Sequence, residues 1–184
     1  MKNSSRFFIG FGLLVQLACF GCAGSFDAEM NEAQQAMDQA KSFHADELAP
    51  SDWKEAQESY DRAQAAAKAG KPAKNLFINA KARFKKAGTI AKSYGETIAK
   101  EISDIQLAMG EKLSKIKAAL LTGNPGSKSR NQVNSIVAEA ETGTESISKM
   151  VAEGDYLKGR TLAREIRKKL YDAELILAGK KPVS

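Results

Sequence analysis

AKNLFINAKARFKKAGTIAKSYGETIAKEISDIQLAMGEKLSKIKAALL, residues 73–121, decides how this chain folds. Ala73, Phe77, Ala80, Phe84, Ala87, Ala91, Tyr94, Ile98, Ile102, Ile105, Met109, Leu113, Ile116 and Leu120 recur at steps of three and four with no proline between them. That period puts them on one face of a helix, because a strand would alternate every second residue. An unbroken helix of this length would run on the order of 70 Å at 1.5 Å per residue. Gly88, Gly95 and Gly110 each cost roughly 1 kcal/mol against alanine, so a bend or break is expected near one of them. The four-residue steps 94-98-102 and 105-109-113 depart from a strict heptad and would locally straighten any supercoil.

Helical patterns flank this segment on both sides. Upstream, Phe26, Met30, Ala33, Met37, Ala40 and His44 form one stripe, and Trp53, Ala56, Tyr60, Ala63 and Ala67 form another. Leu48-Ala49-Pro50-Ser51-Asp52 separates them, with Pro50 ending one helix and Asp52 placed to cap the next, Glu55 lying three residues on as in a capping box. Gly70-Lys71-Pro72 then closes that helix. Downstream, Thr122 to Ser127 reads as a loop, and Ser129 with Gln132 offers a second capping box. Val133, Ile136, Val137, Ala140, Ile147, Met150 and Val151 mark a further helix ending at Gly154. Asp155 is placed to cap a last one carrying Tyr156, Gly159, Ala163, Ile166, Leu170, Ala173 and Leu177. The expected fold is therefore all-α: an elongated helical bundle in which two antiparallel helical hairpins, 27–70 and 128–178, pack on one long central helix, 73–121. Residues 26–178 form the helical domain, and 179–184 read as a flexible tail.

The N-terminus reads as an export signal. Lys2 and Arg6 precede an apolar run from Phe7 to Ala18, about a dozen residues and so shorter than the roughly 20 a membrane span needs. Cys19-Phe20-Gly21-Cys22 then resembles a bacterial lipobox, with Gly21 in the expected place and Cys19 and Phe20 departing from the usual leucine and small residue. The expectation is a signal peptide over 1–21, lipidation of Cys22, and a short tether over 22–25. Cys19 as the lipid site and plain cleavage near Ala23 are the alternatives. Ala23 after the cysteine, in place of aspartate, points to the outer membrane facing the periplasm, and acyl chains at about 0.8 kcal/mol per buried methylene would hold the protein there.

Composition narrows the chemistry. The chain has 184 residues with 28 Lys+Arg, 22 Asp+Glu, one His and two Cys. So few histidines and cysteines argue against a zinc site, a thiol nucleophile or a Ser-His-Asp triad. No catalytic, cofactor-binding or metal-ligating residue is assigned, and the chain is read as not an enzyme. His44 beside Asp46 and Glu47 is read as a helix-end or surface residue, and Asp46, Glu47 and Asp52 as turn and cap residues. Trp53, Tyr60, Phe77, Phe84 and Tyr94 are read as core.

Charge falls in blocks. Residues 27–61 carry a net charge of −8, residues 62–130 carry +11, and residues 131–184 carry +1. Lys74, Lys81, Lys85 and Lys92 near one helix face, with Arg164, Arg167 and Lys168, are the candidate interaction surface, suited to an anionic face such as lipid phosphates. The competing reading is that the acidic block packs beside the basic helix, in surface pairs worth about 0 to 1 kcal/mol each. Nucleic acid is not expected, since the chain is read as exported and lacks interleaved surface aromatics.

The run Ala36 to Ala91, with Leu48-Ala49-Pro50-Ser51-Asp52-Trp53-Lys54-Glu55-Ala56 followed by spaced alanines and Gly70, resembles the bacterial domain of unknown function 4398. The resemblance implies a small helical envelope lipoprotein, a type sometimes joined to a peptidoglycan-binding OmpA-like domain that is not recognised in this sequence. The functional expectation is a membrane-anchored structural or adaptor protein with a protein partner in the envelope. The alternative is a binding module for an anionic envelope component: lipopolysaccharide, phospholipid head groups or cell-wall polymer. The oligomeric state stays open.

Overall fold

The apolar period of the long segment resolves into a single helix, α4 (Lys74–Thr122), 49 residues with no interruption. In this computed structural model, which describes residues 26–123 and 125–182, the other helices are α1 (Asp27–Ser42), α2 (Ala45–Leu48), α3 (Pro50–Lys68), α5 (Ser127–Ala152) and α6 (Tyr156–Leu177). The described residues are all-helical and contain no strand. The proposed signal peptide, Cys22 and the tether lie outside them. No helix among the described residues is long and apolar enough to cross a membrane.

No break occurs at the glycines of α4, and packing explains two of them. Gly88 and Gly95 are buried on the helix's inner face. A Cβ on Gly88 would lie 3.2 Å from Ala40 Cα, and one on Gly95 would lie 2.9 Å from the Tyr156 ring. These glycines let neighbours come close to the α4 backbone, and the i to i+4 hydrogen bonds carry the helix through them. Gly110 faces open space, where its cost is propensity alone.

α4 is the shared wall of two helical units, α1 to α3 packing along its first half and α5 and α6 along its second. Along its first half, α1 runs parallel to it, with Glu29 against Lys74 and Glu32 against Lys81, while α3 runs antiparallel, with Asp52 against Lys86 and Glu55 against Arg83. Phe77 and Phe84 fill this unit: the Trp53 ring sits 5.3 Å from Phe84, and Tyr60 lies 5.7 Å from Phe77. The Tyr60 hydroxyl donates to Gln34 Oε1 at 3.1 Å, tying α3 to α1. Along the second half, α6 is parallel, with Arg164 on Glu101 and Glu174 on Lys112, and α5 is antiparallel, with Ser148 and Glu141 reaching Gln106 and Lys117. Ile98, Ile102, Met109, Ile116, Ile147 and Leu170 are its most fully buried large side chains.

Those directions bring the two hairpin turns together at the middle of α4. Leu48 and Tyr156 meet over Gly95, and His44 lies against Gly154. The turn between α5 and α6 is a Schellman cap, with Gly154 at φ +83 and the Asp155 amide donating to Met150 O at 2.8 Å. Gly70 and Gly179 close α3 and α6 in the same way.

Several local expectations need correction. Pro50 starts α3, in the first helical turn where its missing N–H costs nothing, and Asp52 is therefore inside the helix, paired with Lys86 and not capping. The chain between α1 and α3 forms a short helix of its own, entered through His44 in a left-handed conformation. α5 begins at Ser127, so Ser129 lies within its first turn and makes no cap. Asp155 occupies the cap position of α6 but makes no side-chain cap bond; its carboxylate takes Lys158 at 3.0 Å. Tyr94 is exposed, because Gly95 holds the inner position there and the Tyr156 ring fills the space.

Candidate interaction surface

The seven candidate cations fall on two separate faces. Lys81 of α4 meets Glu32 of α1, whereas Glu101 of the same helix meets Arg164 of α6. Lys74, Lys81, Lys85 and Lys92 lie toward α1, and Arg164, Arg167 and Lys168 ride on α6.

Three of the seven are already engaged. Lys74 Nζ contacts Glu29 at 2.9 Å, Lys81 contacts Glu32 at 2.6 Å, and Arg164 contacts Glu101 at 2.5 Å, with Arg160 on the second oxygen at 3.6 Å. Lys92 lies 5.9 Å from the Phe43 ring centroid, a cation–π geometry. Lys85, Arg167 and Lys168 are exposed and have no ionic partner among the described residues. Lys85 stands at the mouth of a cleft of about 430 Å³ between α1 and α4, beside Gln39 and Thr89.

Electrostatics show which pairs are felt. The hydrogen bond from Lys74 holds the Glu29 carboxyl below its ordinary value, and in return Glu29 raises the Lys74 ammonium. Arg164 lowers Glu101 in the same manner. Asp52 raises Lys86 across the wide cleft between α3 and α4, where Glu55 also takes Arg83 at 2.8 Å. Acids of the first hairpin thus neutralise much of the basic block facing them. The sequence signal for this is the juxtaposition of the −8 and +11 blocks. The individual partners, Glu29, Glu32, Asp52 and Glu55, are not legible without the register of α1 and α3 on α4.

Among the described residues no group of three His, Cys, Asp or Glu side chains could hold a metal ion. His44 is half-buried with its ring over Gly154, and Asp46 and Glu47 lie in the first turn of α2, exposed at Asp46 and Glu47 alike.

Comparison with known proteins bears on the first unit. No curated protein and no solved structure matches the chain. Residues 28–96, which hold α1, α2, α3 and the first part of α4, match the model of the Domain of unknown function (DUF4398). Through this segment the chain is similar to the DUF4398 family.

Proposed function

We propose that this chain is a lipid-anchored helical protein of the bacterial envelope, sorted to the outer membrane and facing the periplasm, that works as a structural or adaptor protein without catalysis. The observation that carries this reading is α4 itself: one uninterrupted 49-residue helix on which both hairpins pack, their turns meeting at its middle. Such a frame makes an elongated bundle with a stiff axis, and it presents polar helix surfaces to a partner. Alanine and glycine line many of the contacts, so helices approach closely and enclose little volume. The lipobox-like Cys19-Phe20-Gly21-Cys22 supports the anchor, and the DUF4398 match over 28–96 is compatible with it.

Two measurements test the reading. Mass spectrometry of the mature N-terminus should find a diacylated Cys22, and an unmodified start at Ala23 or Gly24 would remove the anchor. Crosslinking in the native envelope should capture a protein partner; capture of none, together with turnover of an envelope substrate by the purified chain, would overturn the adaptor role. The second reading, a module for an anionic envelope component, is favoured by Lys85, Arg167 and Lys168, which have no ionic partner among the described residues.

A further inference from the structure

The end of the molecule at which α4 finishes differs in charge from the rest. From Leu113 to Ala138 the sequence carries Lys115, Lys117, Lys128 and Arg130 and not one acid, and from Leu175 to Pro182 it carries Lys180 and Lys181 and again no acid. The fold gathers these segments. Arg164 reaches Glu101 and Lys112 reaches Glu174 at sequence offsets of 63 and 62, so the parallel register of α6 brings Lys180 level with the last turns of α4. Arg130 donates to the Gly123 carbonyl at 3.4 Å, which brings the start of α5 against the same end. Lys117 is paired with Glu141, but Lys115, Lys128, Lys180 and Lys181 have no ionic partner among the described residues.

Two features set this end apart from an ordinary solvated surface. Lys128 and Arg130 lie in the first turn of α5, which contains no acid. Cations there oppose the partial positive charge of the helix N-terminus and weaken the helix, so local stability does not account for them. Beside them Leu121 is 86% exposed, well above Leu107 at 70% and Tyr171 at 49%. It follows Lys117 by one helical turn, on the same outer face of α4.

We propose that this basic end is a docking surface for an anionic phospholipid bilayer, with Leu121 entering the interfacial region while Lys115, Lys128, Arg130, Lys180 and Lys181 meet the head-group phosphates. An apolar side chain held out among cations suits a bilayer interface, where both kinds of contact are available; a hydrated polyanion would use only the charges. The contact is distinct from the acyl anchor. Phe26, close in sequence to Cys22, stacks on Phe77 in the first turn of α4. Leu121 stands at the opposite end of that helix, on the order of 65 Å away at 1.5 Å per residue. The inference deepens the envelope reading and rests on it for its setting, giving the chain a second membrane contact.

The test uses the mature chain, residues 22–184, with Cys22→Ser, which lacks the apolar signal run, removes acyl attachment and changes no residue of α1 to α6. Co-sedimentation should show binding to phosphatidylglycerol-rich vesicles at low salt and none to phosphatidylcholine vesicles. Combined Lys115→Glu, Lys128→Glu and Lys180→Glu should weaken that binding on the order of 100-fold, and Leu121→Ser on the order of 10-fold, with thermal melting unchanged. Absence of binding to phosphatidylglycerol, or an equal loss from Arg167→Glu with Lys168→Glu, overturns the assignment. Retained affinity in Leu121→Ser alongside loss in the charge-reversed variant would point to a polyanion and overturn the bilayer. Each of these failures leaves a crosslinked protein partner, and so the adaptor reading, intact.

Discussion

Gly95 lies directly beneath the ring of Tyr156: a Cβ on Gly95 would stand 2.9 Å from Tyr156 Cε2 and 3.4 Å from Leu48 Cδ1. This is the point at which the two hairpins share α4. An alanine here would gain up to about 1 kcal/mol in helix propensity, but overpacking a tight contact costs about 1 to 3 kcal/mol. The Tyr156 ring is held by its own helix, so the second effect should win. Gly95→Ala is expected to lower the urea midpoint. Gly110 faces open space, so Gly110→Ala should raise stability by up to about 1 kcal/mol. Opposite signs for two identical substitutions in one helix are the expected result.

Acid should unfasten the cross-helix pairs. Lys74 holds Glu29, and Arg164 holds Glu101, below the ordinary value of 4.5. A carboxylate whose folded value is depressed contributes stability that is fully present above its unfolded value and is lost as pH falls through the folded one. Stability should therefore be flat near neutrality and decline below about pH 4.5. Combined Glu29→Gln and Glu101→Gln should flatten that decline, as measured by urea midpoints across the acid range. An unchanged slope would mean that other carboxylates set it.

The apolar steps of three and four in residues 73–121 are enough to read α4, since that period comes from the helix itself. Tyr94 escapes the pattern because Tyr94 and Gly95 are adjacent: the stripe can pass through either, and the choice is made by Tyr156, which arrives from the second hairpin. Asp52 escapes it for a related reason. Pro50 and Asp52 are both good helix-start residues, and the proline takes the first helical position. The charge blocks indicate that the first hairpin and α4 attract each other. Which lysine meets which glutamate depends on α1 being parallel and α3 antiparallel, a property of the assembled unit and not of any local stretch. The same holds for the basic far end, whose segments are brought together by the register of α6 on α4 and by Arg130 on the Gly123 carbonyl.

Because both units share α4, damage in one should be felt in the other. Phe84 and Leu170 are both fully buried, one in each unit. Phe84→Ala should cost about 3 to 5 kcal/mol and Leu170→Ala about 2 to 5 kcal/mol. Trp53, 5.3 Å from Phe84, reports on the first unit by fluorescence, while circular dichroism follows all helices. Both signals should shift together in both variants. If Leu170→Ala lowers the dichroism midpoint and leaves the Trp53 transition in place, the two units unfold independently and α4 does not couple them.

His44 and Gly154 hold the two turns against each other through backbone shapes that few residues adopt. Gly154 sits at φ +83 and His44 at φ 55, and a Cβ on Gly154 would lie 2.5 Å from His44 Nε2. Gly154→Ala therefore meets two penalties, a left-handed backbone cost of about 1 to 2 kcal/mol and displacement of the imidazole. The expected loss is about 2 kcal/mol or more by urea denaturation. In a His44→Gly background the imidazole is gone and position 44 tolerates its own φ, so only the backbone cost at 154 should remain. A double-mutant cycle measures the difference, since residues in contact give non-additive effects whereas distant ones add. Equal losses from Gly154→Ala in both backgrounds would show that the imidazole does not press on the turn, and that the hairpins are joined through Leu48, Gly95 and Tyr156 alone.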